Sequence, residues 1–190
     1  MENIDNESFI IEEENKSPLK LALIFGAGMS VLMFLIQLIS RSLTDPSEQA
    51  SNNWLMGVIT YVILLICLMF FIIKHRDTNC YGTIKYGKAF GAAMLCILFY
   101  SLFSSLFTYI WFTVDTDLLD EISKRTLESI EKNNPDMDED KIQQQVEMAN
   151  KFQTPVIMTV ASFFGNLLFG AILSLIGSAF NGSFRKKQIQ

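Results

Sequence analysis

Four long stretches of this 190-residue chain carry no Asp, Glu, Lys, Arg or His: Leu21 to Ser40, Trp54 to Ile73, Ala89 to Val114, and Phe152 to Phe184. Ionisable residues inside a membrane mark proton and ion pathways. Their lack in these stretches argues against a proton-coupled pump. Histidine occurs once, as His75 between Lys74 and Arg76. A lone imidazole makes neither a metal site nor a catalytic triad, so His75 is expected to be a solvated loop residue at the membrane edge. The three cysteines show no pairing or metal spacing. Cys67 and Cys96 fall inside uncharged runs, where a thiol behaves as a small hydrophobe, and Cys80 stands alone in a short loop. No phosphate-binding loop is present, because Gly26-Ala27-Gly28 has no strand before it and no lysine after it. The cluster Asp136, Asp138, Glu139, Asp140 lacks the glycine and closing glutamate of a calcium loop, and reads as a capped, solvated helix start. No catalytic residue, cofactor or metal is expected, and the chain is not read as an enzyme.

What the chain has is apolar length. Half of its residues are hydrophobic and its mean hydropathy is positive. A helix needs roughly 20 apolar residues to cross the hydrocarbon of a bilayer, and every uncharged run reaches that length. A soluble chain this short could not cover four helices that are apolar all round. The first run is longer than a signal-peptide core, and Arg41-Ser42-Leu43-Thr44-Asp45-Pro46 offers no small-x-small cleavage site, so it is read as a retained span. The expected fold is all-α: an integral membrane four-helix bundle. Its spans are placed at about 19–40, 54–73, 89–114 and 154–180, within a transmembrane domain over 18–184.

Charge sets the orientation. Lys16, Lys20, Lys74, Arg76, Lys85, Lys88, Arg185, Lys186 and Lys187 would share one side, close to the membrane ends. The first loop, 41–53, holds only Arg41. The third loop, 115–151, is dominated by acids. By the positive-inside rule both termini are cytoplasmic, in a multi-pass protein of the cell membrane. Lys74, Arg76, Lys85, Lys88, Arg185, Lys186 and Lys187 are the topology anchors. Membrane lipids are the first partners, and the net charge of −5 argues against nucleic acid.

Outside the spans, residues 1–17 are acidic, polar and aperiodic, and are expected to be disordered; 185–190 form a short basic tail. Trp54 is placed at the interface. The second loop, 74–88, holds the turn formers Asn79 and Gly82. In the insert 115–153, Leu118, Leu119, Ile122, Thr126 and Ile130 recur at helical spacing, and Asn133-Asn134-Pro135 breaks the pattern. Asp136 or Asp138 can cap a second helix whose apolar face is Ile142, Val146, Ala149 and Phe152. The insert is thus expected to be an extracytoplasmic helical hairpin between the third and fourth spans. Pro155 suits the first turn of the last span.

Small residues repeat every four positions: Ala22, Gly26 and Ser30 on the first span, and Gly170, Ser174 and Ser178 on the fourth. Such faces let helix backbones approach closely. They serve packing inside one bundle or a homodimer, and the former is favoured. Asn166 needs a partner for its amide at mid-span, with Gln37 or a facing carbonyl as candidates. Ser101, Ser104, Ser105 and Thr108 form a hydroxyl stripe on the third span.

Several motifs carry a family resemblance. They are the Lys85-x-Gly87-Lys88-Ala89-Phe90-Gly91 lead-in to the third span, the acid Asp115 closing that span, Phe152-x-x-Pro155 ending the insert, and Gly170-x-x-x-Ser174-Leu175-Ile176 in the fourth span. In this pattern the chain resembles a bacterial family of small four-span membrane proteins known as domain of unknown function 4199. Where that family commonly has a proline soon after the acid, this chain has Thr116-Asp117. The resemblance implies a bacterial inner membrane and supplies no activity, substrate or catalytic residue. Two function classes remain. The favoured one is a structural, interaction or accessory subunit that binds other membrane proteins or itself. The alternative is a small transporter or channel subunit, with the hydroxyl stripe and Asn166 lining a path formed on oligomerisation.

Overall fold

A backbone in hydrocarbon must satisfy its own N–H and C=O groups, and an α-helix does so within one segment. The computed structural model describes residues 17–43, 49–80, 82–134 and 137–181, and these form α-helices with no strand among them. In chain order they are α1 (Leu19–Leu43), α2 (Gln49–Asn79), α3 (Tyr86–Val114), α4 (Thr116–Asn133), α5 (Glu139–Phe152) and α6 (Pro155–Asn181). Four of them are long and apolar enough to cross a membrane: Leu19–Ser42, Met56–Asn79, Tyr86–Val114 and Pro155–Phe180. The acidic N-terminal tail, Asp45-Pro46, Pro135, Asp136 and the anchors Arg185, Lys186 and Lys187 lie outside the described residues, as does the Trp54 side chain.

Several helix ends extend past the sequence reading, α2 beginning at Gln49 and α3 at Tyr86, and the largest difference is at the end of α2. The stretch after Ile73 was expected to be loop, yet α2 continues to Asn79. Nothing in Lys74-His75-Arg76-Asp77-Thr78 breaks a helix. The helix ends where Gly82 adopts a left-handed φ of 84°. There the Arg76 carbonyl accepts the N–H groups of both Cys80, at 3.2 Å, and Gly82, at 3.0 Å. The left-handed φ is one that glycine adopts without a Cβ penalty.

The chain divides into two compact units. The first comprises the described residues up to Ser101 and those from Asn166 onward. Its core holds Leu64, Leu68, Phe71 and Ile72 of α2, Ala89, Ala93, Cys96 and Ile97 of α3, and Ala22, Met29 and Met33 of α1. Outside that core the polarity is inverted relative to a water-soluble protein. Ser30, Ser101, Ser174 and Ser178 are buried, while Ile24, Ile66, Phe70, Leu168 and Phe180 point outward. Water does not tolerate such a surface, and hydrocarbon does.

The second unit is Leu102–Gly165. In it α4 and α5 pack against each other, as expected of a hairpin. The apolar positions Leu118, Leu119, Ile122, Ile130, Ile142, Val146 and Ala149 are half-buried. Phe152, expected on the covered face, is instead 65% exposed. Asp138 is the N-cap residue of α5, but its side chain makes no cap bond. Its carbonyl accepts the Ile142 N–H at 3.1 Å, and its carboxylate pairs with Lys141 at 3.4 Å. That exposed pair contributes little. Gln153 Nε2 donates to Thr126 Oγ1 at 3.0 Å and ties the end of α5 back to α4. Thr154 starts α6 by accepting the Ile157 and Met158 N–H groups, at 3.4 Å on its hydroxyl and 2.9 Å on its carbonyl, with Pro155 in the first turn.

Candidate functional site

Close helix packing explains the small residues of α1 and α6. A Cβ on Gly26 would lie 2.7 Å from Phe99 Cβ, 2.9 Å from the Cys96 carbonyl oxygen and 2.9 Å from the Tyr100 nitrogen. So α1 rests on the backbone of α3, and only a hydrogen fits between them. A Cβ on Gly170 would collide with the Ile97 side chain, and one on Gly177 would reach Ile72 Cδ1 at 3.3 Å. Gly177 lies outside the four-residue repeat of Gly170, Ser174 and Ser178 but packs beside it. Ala22 is fully buried. The Ser30 hydroxyl donates to the Ala27 carbonyl at 2.7 Å, and that of Ser174 to the Gly170 carbonyl at 2.7 Å. Ser178 is buried, and its hydroxyl bonds nothing. Both expected small-residue faces are therefore occupied by the chain's own α2 and α3.

The hydroxyl stripe of α3 behaves in the same way. Ser105 donates to the Leu102 carbonyl at 2.9 Å and Thr108 to the Ser104 carbonyl at 3.0 Å. Thr108 Oγ1 also lies 3.4 Å from Ser162 Oγ of α6. Ser101 is fully buried with no hydrogen bond on its hydroxyl. Asn166 is half-buried and has a bonding partner, whereas its candidate partner Gln37 is exposed on α1.

Among the anchors, Lys74, Lys85 and Lys88 are exposed. Arg76 is not: it is 5% exposed, and its Nε donates to Asp77 Oδ1 at 2.9 Å. His75 corrects the sequence reading outright. It is 4% exposed, because the longer α2 carries it into the packed region. Its ring stacks on Phe71 with centroids 6.1 Å apart and planes 4° apart. Asn79 Nδ2 sits 3.0 Å from Nδ1, and Cys80 Sγ 3.7 Å from Nε2. Cys80 is thus not alone. The signal was the i, i+4 spacing of His75 and Asn79, which has meaning only once the segment is taken as helix.

Burial pushes the Cys80 thiol above the usual range, and the nearby Lys88 charge pulls it part of the way back. Only the thiolate reacts with maleimide. Labelling of Cys80 in detergent should therefore be slower at neutral pH than that of a free thiol, and should keep rising as pH increases past the free thiol's plateau. Lys88→Gln should slow it further, by removing the lowering charge. Labelling as fast as free cysteine at pH 7 would contradict the burial.

An all-helical chain with four membrane-length helices, an outward apolar surface and inward serines is the build of a multi-pass membrane protein. Residues 20–181 match the family described as protein of unknown function (DUF4199), and the chain belongs to that family, as its motifs implied. Neither a curated protein nor a solved structure matches the chain.

Proposed function

We propose that the protein is a structural or accessory subunit of a bacterial inner membrane, with both termini cytoplasmic and the α4–α5 hairpin on the far side. The observation that carries this reading is where the polar groups of the spans go. The hydroxyls of Ser30, Ser105, Thr108 and Ser174 return to carbonyls of their own helices. The small residues Gly26 and Gly170 are used for internal contact. Such spans form a scaffold. The water-side hairpin supplies the part free to engage another protein: α5 buries no residue, and its Met148 and Phe152 are exposed. The positive-inside distribution of Lys74, Lys85 and Lys88 supports the orientation.

Crosslinking in intact membranes followed by capture tests the reading. Wild-type protein should retain a defined membrane-protein partner, and Met148→Asp with Phe152→Asp should lose it at unchanged abundance. A protein that is strictly monomeric and partnerless in the crosslinked membrane overturns it. Reporters fused to the two ends should both report the cytoplasm.

The transporter reading keeps one supporting observation, the Ser101 hydroxyl buried without a hydrogen bond in the first unit. If it is right, protein in liposomes passes a small solute and Ser104→Leu abolishes the flux.

A further inference from the structure

A furrow of about 330 Å³ opens on the outer face of the first unit, between α1 and α2. Its α1 wall is a stripe at four-residue spacing, Ile24, Gly28 and Leu32, and Cys67 and Phe70 form the α2 side. Gly28 is the notch in that stripe, since a Cβ there would meet nothing within 4 Å. Ile24, Leu32 and Phe70 are exposed, so the furrow faces the surrounding hydrocarbon, while the buried Met29 closes it inward. Among the described residues, no charged, amide or hydroxyl side chain lines it. At one end the same two faces carry cations. Lys20 stands four residues before Ile24, Lys74 stands four residues after Phe70, and both are exposed. Residues four apart share a helix face. Consecutive spans run in opposite directions, and the Phe25 and Phe71 rings, with centroids 5.6 Å apart, put those levels side by side. One further turn, about 6 Å, therefore brings both lysines to the same end of the furrow. Asp77, a turn beyond Lys74, is engaged by Arg76 Nε at 2.9 Å, so among the described residues that end stays positive.

An apolar furrow that ends under two cations matches an amphiphile with an apolar chain and an anionic head. From Ile24 to Leu32 the helix rises about 12 Å, against roughly 15 Å for the hydrocarbon of one leaflet. One acyl chain lying along the membrane normal fills that depth, and its head group then stands at the level of Lys20 and Lys74. A neighbouring helix fits less well, because it would meet the furrow over only two turns and would have to bring an acid to the lysines. We propose that this furrow binds one anionic phospholipid of the leaflet on the N-terminal side of α1, with an acyl chain in the Gly28 notch and the phosphate between Lys20 and Lys74. The lysine stems lie along the apolar surface while the ammonium groups reach the head-group level. Lipid tails cover the outer surface in any case, so the furrow contributes packing and placement and no hydrophobic driving force. The ion pairs supply the preference for an anionic head, each lysine adding a several-fold factor.

Native mass spectrometry of the full-length protein in detergent tests the site, with dioleoyl phosphatidylglycerol and dioleoyl phosphatidylcholine titrated separately. Wild type should retain one phosphatidylglycerol about tenfold more tightly than phosphatidylcholine. Glycerol phosphate, which has the head group and no acyl chain, should not displace it. Lys20→Gln with Lys74→Gln should abolish the preference. Gly28→Leu, whose side chain fills the notch, should lose the bound lipid at unchanged melting. Lys85→Gln with Lys88→Gln, exposed lysines on the same membrane side at the start of α3, should keep it. Equal retention of the two lipids by wild type overturns the site, as does an unchanged preference in the Lys20 and Lys74 variant. Lipid retained by Gly28→Leu, or displaced by glycerol phosphate, overturns the furrow as its seat. An equal loss in the Lys85 and Lys88 variant reduces the effect to general attraction toward a basic face and overturns it too. A wild-type dimer that Gly28→Leu takes apart gives the furrow to a second copy of the chain instead of a lipid.

Discussion

Gly26→Ala is expected to cripple the protein, while Gly28→Ala, two positions along the same helix, leaves it intact or slightly firmer. The added methyl is the same, and what it meets differs. At position 26 it would lie 2.9 Å from both the Cys96 carbonyl oxygen and the Tyr100 nitrogen. These are backbone atoms of α3, which cannot turn aside as a side chain can. Relief requires α1 to back away from α3, and the contacts around Ala22 and Met29 loosen with it. Overpacking of a fitted core costs about 1–3 kcal/mol, and the upper part of that range applies where backbone must move. At position 28 nothing lies within 4 Å. The change there gains up to about 1 kcal/mol in helix propensity. Thermal aggregation of the purified proteins in one detergent checks the pair. Gly26→Ala should melt well below wild type, Gly28→Ala at or above it, and equal melting of the two would refute the close crossing of α1 and α3. Gly170→Ala provides an internal comparison, because its obstacle is the Ile97 side chain and not a backbone. Ile97→Ala should rescue part of that loss, with a coupling of about 0.5–3 kcal/mol, whereas no side-chain deletion should rescue Gly26→Ala.

These positions also show what the sequence disclosed and what it withheld. Four membrane-length helices follow from uncharged runs, since hydrocarbon penalises any ionisable group left in them. The hairpin follows from the spacing of Leu118, Ile122 and Ile130 and then of Ile142 and Val146. Family membership followed from motifs around Gly87, Asp115, Pro155 and Gly170, and the match over residues 20–181 shows it. Spacing also pointed to Gly26 and Gly170 as packing residues. It also separated Gly26 from Gly28, since only Gly26 stands four residues from both Ala22 and Ser30, but it could not say which helix faces that stripe. In water a polar stripe identifies the outer face; in lipid the outward and inward faces of a span are both apolar, and that cue is lost. The same ambiguity hid the contact of Cys96 Sγ with Met29 Sδ at 3.9 Å, since the thiol reads as an ordinary hydrophobe until α1 and α3 come together. The error at His75 had a separate origin. Flanking lysine and arginine suggested water, but only Lys74 keeps its head group out, while Arg76 is buried beside His75 with its guanidinium on Asp77.

That buried imidazole supports the second large effect. His75→Ala is expected to destabilise the protein by about 2–4 kcal/mol, in the range of large-to-small changes at packed sites. The substitution removes the ring stacked on Phe71, the partner of Asn79 Nδ2 and the neighbour of Cys80 Sγ in one step. All of these belong to the last turns of α2 or the residue just past it, where the Arg76 carbonyl already serves two N–H groups. The loss should therefore be felt first as fraying of that end. Cys80, 8% exposed in the intact protein, reports it directly. Maleimide labelling of Cys80 should accelerate at least tenfold in His75→Ala. His75→Phe separates the causes. It refills the space and keeps the stack on Phe71 but bonds neither Asn79 nor Cys80, so it should cost only about 1 kcal/mol, the net worth of a typical hydrogen bond, with labelling close to wild type. Should His75→Phe open Cys80 as far as His75→Ala does, hydrogen bonding and not packing holds the end of α2. If neither variant changes the melt or the labelling, the ring does not lie inside the packed region at all.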